Sequence, residues 1–355
     1  MLSENIQLSQ PVNGWDGEAS PTGFIDMFDL LTNPDMGIDI DIGNVPDKIL
    51  ATSDHTTASG HLQQPSFSLP ASLSYKDPSS LLQRREFSQV DLQLTSDLAL
   101  HILSSYLYTM ADQGSPPPFI HPSYQYLKEI DTDRPSPLSA AMNLAKMLFI
   151  GHGTNKTLIW KLIQTEQERL LYDYSKFNRW QALEALQSII LYILLRINEG
   201  RRDYTNFDTK LFISLNAICR HISTNFGKLV SSDELNGEMI PWKDWVFYES
   251  RRRSATVIYI IDSILYARIS EPGPGMPEYN HAPAPSPLTL WNAENESDWT
   301  AGYANYLHAN TADGMLKNAD LVALREAATG NQNERWYAYA DSFGLLVTLT
   351  ANLII

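Results

Sequence analysis

The sequence predicts an all-α fold, on three observations. Apolar residues recur at three- and four-residue spacing in long stretches from about residue 95 onward. No stretch shows the period-two alternation of a half-buried strand. Proline- and glycine-rich breaks such as Glu271-Pro272-Gly273-Pro274-Gly275 punctuate the helical patterns rather than tight two-residue hairpin turns. With 355 residues, 43% hydrophobic content and eight tryptophans, the chain has enough apolar material for one large core or two small ones.

Residues 1–90 read differently, as a disordered acidic arm. They are rich in Ser, Pro, Gly, Asp and Gln, and their first 80 positions carry only Lys48 and Lys76 as basic residues. Within the arm, GFIDMFDLL at 23–31 interleaves Phe24, Ile25, Met27, Phe28, Leu30 and Leu31 with Asp26 and Asp29. Such acidic-hydrophobic alternation suits a segment that folds into a partner's groove, as transcriptional activation segments do; the bland alternative is a solvated tail with chance apolar residues.

The first helix is expected from Thr95, Ser96 and Asp97 as N-cap candidates, with Leu98, Ile102, Tyr106 and Met110 as its stripe. Helices follow over about 138–150, 156–173 (stripe Leu158, Leu162, Glu166, Leu170), 178–198 (Trp180, Leu183, Gln187, Ile190, Leu194) and 208–226 (Leu211, Leu215, Ile218, Ile222, Phe226). The run IILYILL at 189–195 is too short for the ~20 apolar residues that span a bilayer, so it reads as a buried helix. Pro241 suits a first-turn position and opens a helix to about Ile269; two more are expected over about 313–328 and 334–354.

That helix opens with PWKDWVFYESRRR at 241–253. Trp242, Trp245, Glu249, Arg252 or Arg253, and Thr256 share a face. Glu249 reaches Arg252 at i+3 or Arg253 at i+4, and tryptophan faces offer stacking to a guanidinium, so the triplet reads as an intramolecular charge seam. Three basic residues also fall short of the 5–8 residue runs typical of import or nucleic-acid patches.

These residues carry a resemblance. Trp242, Trp245, Glu249, Ser250 and Arg251, Arg252 and Arg253 in the order W-x-x-W-x-x-x-E-S-R-R-R resemble the signature helix of the fungal-specific transcription factor domain, or middle homology region. PPFIHP at 117–122, PLTLWNAENESDW at 287–299 and DSFGLLVTLTANLI at 341–354 agree with it in the family's order. The resemblance covers 95–355 and implies an all-α regulatory domain, a nuclear location, no cofactor, and pathway-specific control such as that of a secondary-metabolite gene cluster. It also implies partners: a DNA-binding factor or dimer partner and the transcription machinery, with DNA reached only indirectly. The departure is that members usually carry a six-cysteine zinc cluster or paired zinc fingers, and Cys219 alone builds neither.

Enzyme chemistry finds little support. GHGTNKT at 151–157 lacks the glycines a phosphate loop needs at 150 and 155, where Ile150 and Asn155 stand. No H-E-x-x-H or G-x-S-x-G run occurs, and His121 in PPFIHP reads as structural. Convergence of His101, His152 or His221 with acids is the residual route to a metal or catalytic site. The net charge of −15 removes the general phosphate attraction behind non-specific DNA binding. MLSENIQLSQ has neither the basic nor the apolar region of a secretory signal, and the sequons at Asn155 and Asn295 read as chance matches. The expected function is therefore a transcription regulator working through partners. The alternatives are a ligand-sensing or inhibitory module and, last, a biosynthetic enzyme with a helical cavity.

Overall fold

A computed structural model describes residues 90–127, 136–150, 156–199, 207–269, 277–310, 314–322 and 331–353. The arm, including the 23–31 segment, lies outside the described residues, as do His152 and most of GHGTNKT. Among the described residues the fold is all-α: fourteen α-helices, two 3-10 turns and a single antiparallel bridge between Pro283 and Lys317.

Helix α1 (Val90–Gln113) starts five residues before its expected cap, so Thr95 and Ser96 lie inside it. The face it buries is Ala99, Leu100, Leu103, Tyr106, Leu107 and Met110, while Leu98 is exposed. After the short α2 (Tyr124–Leu127), α3 (Pro137–Ile150) and α4 (Lys156–Asp173) follow where expected. In α4 the stripe is rotated by one residue: Ile159, Trp160, Ile163, Gln167 and Leu170 are buried, and Leu158 and Leu162 face outward.

The centre is α5 (Arg179–Glu199), buried on every side from Ala182 to Ile197 and packed against α1, α3, α4 and α6 (Phe207–Phe226). It is the one described helix long and apolar enough to cross a membrane, yet 94% of that stretch is buried inside the protein. Each of its Leu and Ile side chains withdrawn from water contributes roughly 1.5–3 kcal/mol. Arg196 on α5 pairs with Asp208 on α6 at 2.8 Å, both inaccessible to solvent, so neither charge is left unmatched in the core.

A short α7 (Ser232–Leu235) leads to α8 (Trp242–Ile269), which begins immediately after Pro241: the Asp244 and Trp245 N–H groups both donate to the Pro241 carbonyl at 3.0 Å. Next come α9 (Pro277–His281), α10 (Leu288–Trp291) and α11 (Glu296–Ala309), the last a helix the apolar periodicity did not predict. The expected 334–354 helix is instead two, α13 (Asn331–Tyr339) and α14 (Ser342–Thr350), preceded by α12 (Asn318–Val322). The break comes at Asp341, whose side chain caps α14 by accepting from the Gly344 N–H at 2.9 Å.

Among the described residues the buried apolar side chains form two main cores, a large one around α5 and a second, aromatic cluster, beside a small third group of Ala284, Leu316, Leu321 and Val347. The second contains Trp180, Trp242, Trp245, Phe247, Trp291, Trp299 and Tyr303. Helix α8 belongs to both, with its aromatic first turns in one and its Val257–Ile264 stretch in the other. The charged residues of the motif sit where the two cores meet.

Candidate functional site

Glu249, Arg251, Arg252 and Arg253 occupy consecutive turns of α8, and all four are buried. Burying an ion costs several kcal/mol unless it is paired and its donors are used, so each must find partners. Glu249 does so along its own helix: Oε2 accepts from Arg252 Nε and Nη2 at 3.1 and 2.9 Å, and Oε1 accepts from Arg253 Nε at 2.9 Å. The Ser286 backbone N–H donates to the same Oε1 at 2.9 Å. Burial alone would push this carboxyl up, but the Arg252 and Arg253 guanidiniums outweigh it and hold Glu249 down at about 2.

Arg252 also forks onto Glu234, with Nη1 to Oε2 at 2.7 Å and Nη2 to Oε1 at 2.9 Å, so a planar guanidinium bridges two buried carboxylates. Burial works against its charge, and the two glutamates outweigh that cost and lift its pKa above the ordinary arginine value. Glu234 is delivered by α7, whose Ser231 caps the turn by accepting from the Glu234 N–H at 3.0 Å. Arg251 does something different. It donates to the carbonyls of Gly227 and Lys228 at 2.8 and 2.9 Å and stacks over Phe247, placing a cation at the C-terminal end of α6 where unsatisfied carbonyls gather. Gly227 makes this possible by turning the chain at φ +83°, a left-handed conformation that an L side chain disfavours.

Arg253 is the hub. Nη1 donates to the Pro118 carbonyl at 3.1 Å and to Asp341 Oδ2 at 2.7 Å, and Nη2 donates to the Ser286 carbonyl at 3.1 Å. Its guanidinium lies 4.1 Å over the Trp291 ring and 5.4 Å from Phe343. The four segments singled out in the sequence, 117–122, 241–253, 287–299 (through Trp291, with Ser286 just before it) and 341–354, therefore meet on one side chain. The stacking surface is not Trp242 or Trp245, as the spacing suggested, but Trp291 from α10. Trp242 packs near His121, and Trp245 packs against Trp299 and Tyr303.

His121 completes the junction. Its Nδ1 accepts from the Ser123 N–H at 3.0 Å, and its ring meets Trp291 edge-on at 4.7 Å. Burial and then the nearby Arg253 push the imidazole down to about 4, so it is neutral at pH 7 with the proton on Nε2. His221 contacts the Phe177 carbonyl and Asn225, and His101 lies exposed on α1. Among the described residues no three His, Cys, Asp or Glu side chains are grouped to hold a metal. Cys219 is fully buried, and burial raises its thiol well above the ordinary range. Asn295 of the second sequon serves as the N-cap of α11, accepting from the Asp298 N–H at 2.9 Å.

Asp341, Trp291, Ser286, Pro118 and Glu234 are the site residues that spacing along α8 does not reveal. The segments carrying Asp341, Trp291 and Pro118 were already conspicuous, and Ser286 immediately precedes one of them. Glu234 had a weaker signal, a serine three residues before it in a capping pattern. No known protein family, curated protein or solved structure matches the chain.

Proposed function

We propose that the chain is a nuclear transcription regulator of the fungal-specific transcription factor type, whose helical domain regulates or dimerises and whose access to DNA is through a protein partner. The observation that supports the reading most is the meeting of four separated segments on Arg253, since these are the segments on which the resemblance rests. A buried guanidinium draws its partners from the segments packed around it, so one side chain constrains these four together. The acidic balance of the chain and the burial of its arginine triplet also favour a partner over direct phosphate contact.

Deleting the gene and measuring transcripts of neighbouring genes tests the proposal, with control of a biosynthetic cluster as the specific expectation. A drop or rise in a coherent set of transcripts is the expected result. Unchanged transcripts under every inducing condition would overturn it.

A further inference from the structure

Residues 136–165 contain Lys146, Lys156 and Lys161 and no aspartate or glutamate, in a chain whose net charge is −15. They include all of α3 and the first ten residues of α4, two consecutive helices packed against each other, and the acids that follow on α4 are ion-paired, Glu166 with Arg169 at 2.8 Å and Glu168 with Lys210 at 3.0 Å. Their outer surface is apolar as well as basic. Met147 is 45% exposed and Leu162 41% exposed, and Leu158, one turn before Leu162 on α4, is 54% exposed. Lys146 and Lys161, the chain neighbours of Met147 and Leu162, are exposed, while Lys156 is drawn toward Glu199 at 3.5 Å. The rotation of α4 that buries Ile159, Trp160 and Ile163 is what turns Leu162 outward next to Lys161.

We propose that this α3–α4 face is the docking site for the chain's own segment 23–31. The chemistry is complementary on both counts: GFIDMFDLL offers six apolar side chains and two aspartates with no basic residue, and the face offers apolar side chains flanked by lysines. Apolar contact supplies the attraction, and the Asp26 and Asp29 carboxylates against Lys146 and Lys161 set where the segment sits. Reach is no obstacle. The 58 residues from 32 to 89 extend at up to ~3.3 Å each, far beyond the ~36–46 Å width expected of a domain of this size. The interaction stands apart from the regulatory reading, since it concerns only where the segment rests.

A photo-crosslinking benzophenone amino acid placed at Leu162 in the full-length chain tests this. The expected product is a crosslink within one chain, mapped by mass spectrometry to residues 23–31. Its yield falls several-fold in the variant K146E/K161E and recovers when D26K/D29K is combined with it. Circular dichroism of each variant confirms that the helices persist. A crosslink only between two chains, one to residues outside the segment, or a yield indifferent to both charge changes would overturn the proposal.

Discussion

Replacing Arg253 with alanine removes one guanidinium from a junction that four parts of the chain share. The loss has three components. Asp341 loses the Nη1 partner at 2.7 Å, and Glu249 loses one of the groups on Oε1 while keeping Arg252 and the Ser286 N–H. Breaking a buried pair by deleting one partner typically costs ~3–5 kcal/mol, because the remaining charge stays desolvated. The carbonyls of Pro118 and Ser286 each lose a charge-assisted donor, and Trp291 loses a cation worth up to about 2 kcal/mol when desolvated. Solvent entering the void offsets part of this, so a total of about 4–6 kcal/mol is expected. That is a large fraction of the ~5–15 kcal/mol by which domains are stable. Arg253→Lys keeps the charge but cannot reach Glu249, Asp341 and two carbonyls at once, and is expected to recover less than half of the loss. Urea unfolding followed by tryptophan fluorescence measures both, since Trp291 and its neighbours lie at the junction. A loss under about 1 kcal/mol for Arg253→Ala would refute the reasoning.

Three further outcomes follow from the same geometry. Acid should destabilise the protein in two windows. His121, with its pKa lowered to about 4, contributes stability above about 6.5 that is lost as pH falls toward 4. Glu249, lowered to about 2, contributes stability above about 4.5 that is lost as pH falls toward 2, so His121→Phe flattens the upper window and Glu249→Gln the lower in urea titrations at fixed pH. Cys219 should resist iodoacetamide in the native state and react on unfolding, because its thiol is buried and held protonated; labelling at native rates equal to a free thiol would contradict its placement. Gly344→Ala should cost about 1–3 kcal/mol in thermal unfolding, since its added carbon would meet the Trp336 ring at 2.9 Å and Ala340 Cβ at 3.1 Å. Gly302→Ala should cost less, because it meets only the movable end of Leu290.

Helix α5 was legible because its run of apolar residues leaves no polar face to misplace. Helix α4 was not, for a specific reason: Leu158-Ile159 and Leu162-Ile163 are adjacent apolar pairs, so two stripes one residue apart fit the periodicity, and tertiary packing chose the one that runs through Gln167 to Leu170. Gln167 reads as polar but is buried by its bond to Ser214 at 2.7 Å. Helix α11 escaped notice because ESDWTAGYANYLHA places only Trp299 and Tyr303 in the core, which is too sparse a stripe to register. At the junction, the Glu249 to Arg252 and Arg253 spacing is a property of one helix and could be read directly. The reach of Arg253 to Pro118, Ser286 and Asp341 spans separations of 135, 33 and 88 residues, which no local pattern encodes.

Arg251, Arg252 and Arg253 are interior structure rather than an exposed basic surface, and under the proposed function this chain reaches DNA only through a partner. A gel-shift titration of the purified full-length protein against promoter duplexes at near-physiological salt tests it most directly. With all three guanidiniums buried and a net charge of −15, the expected result is weak binding, indifferent to sequence and lost as salt rises. A sequence-specific complex at nanomolar protein, formed with no other protein present, would contradict it.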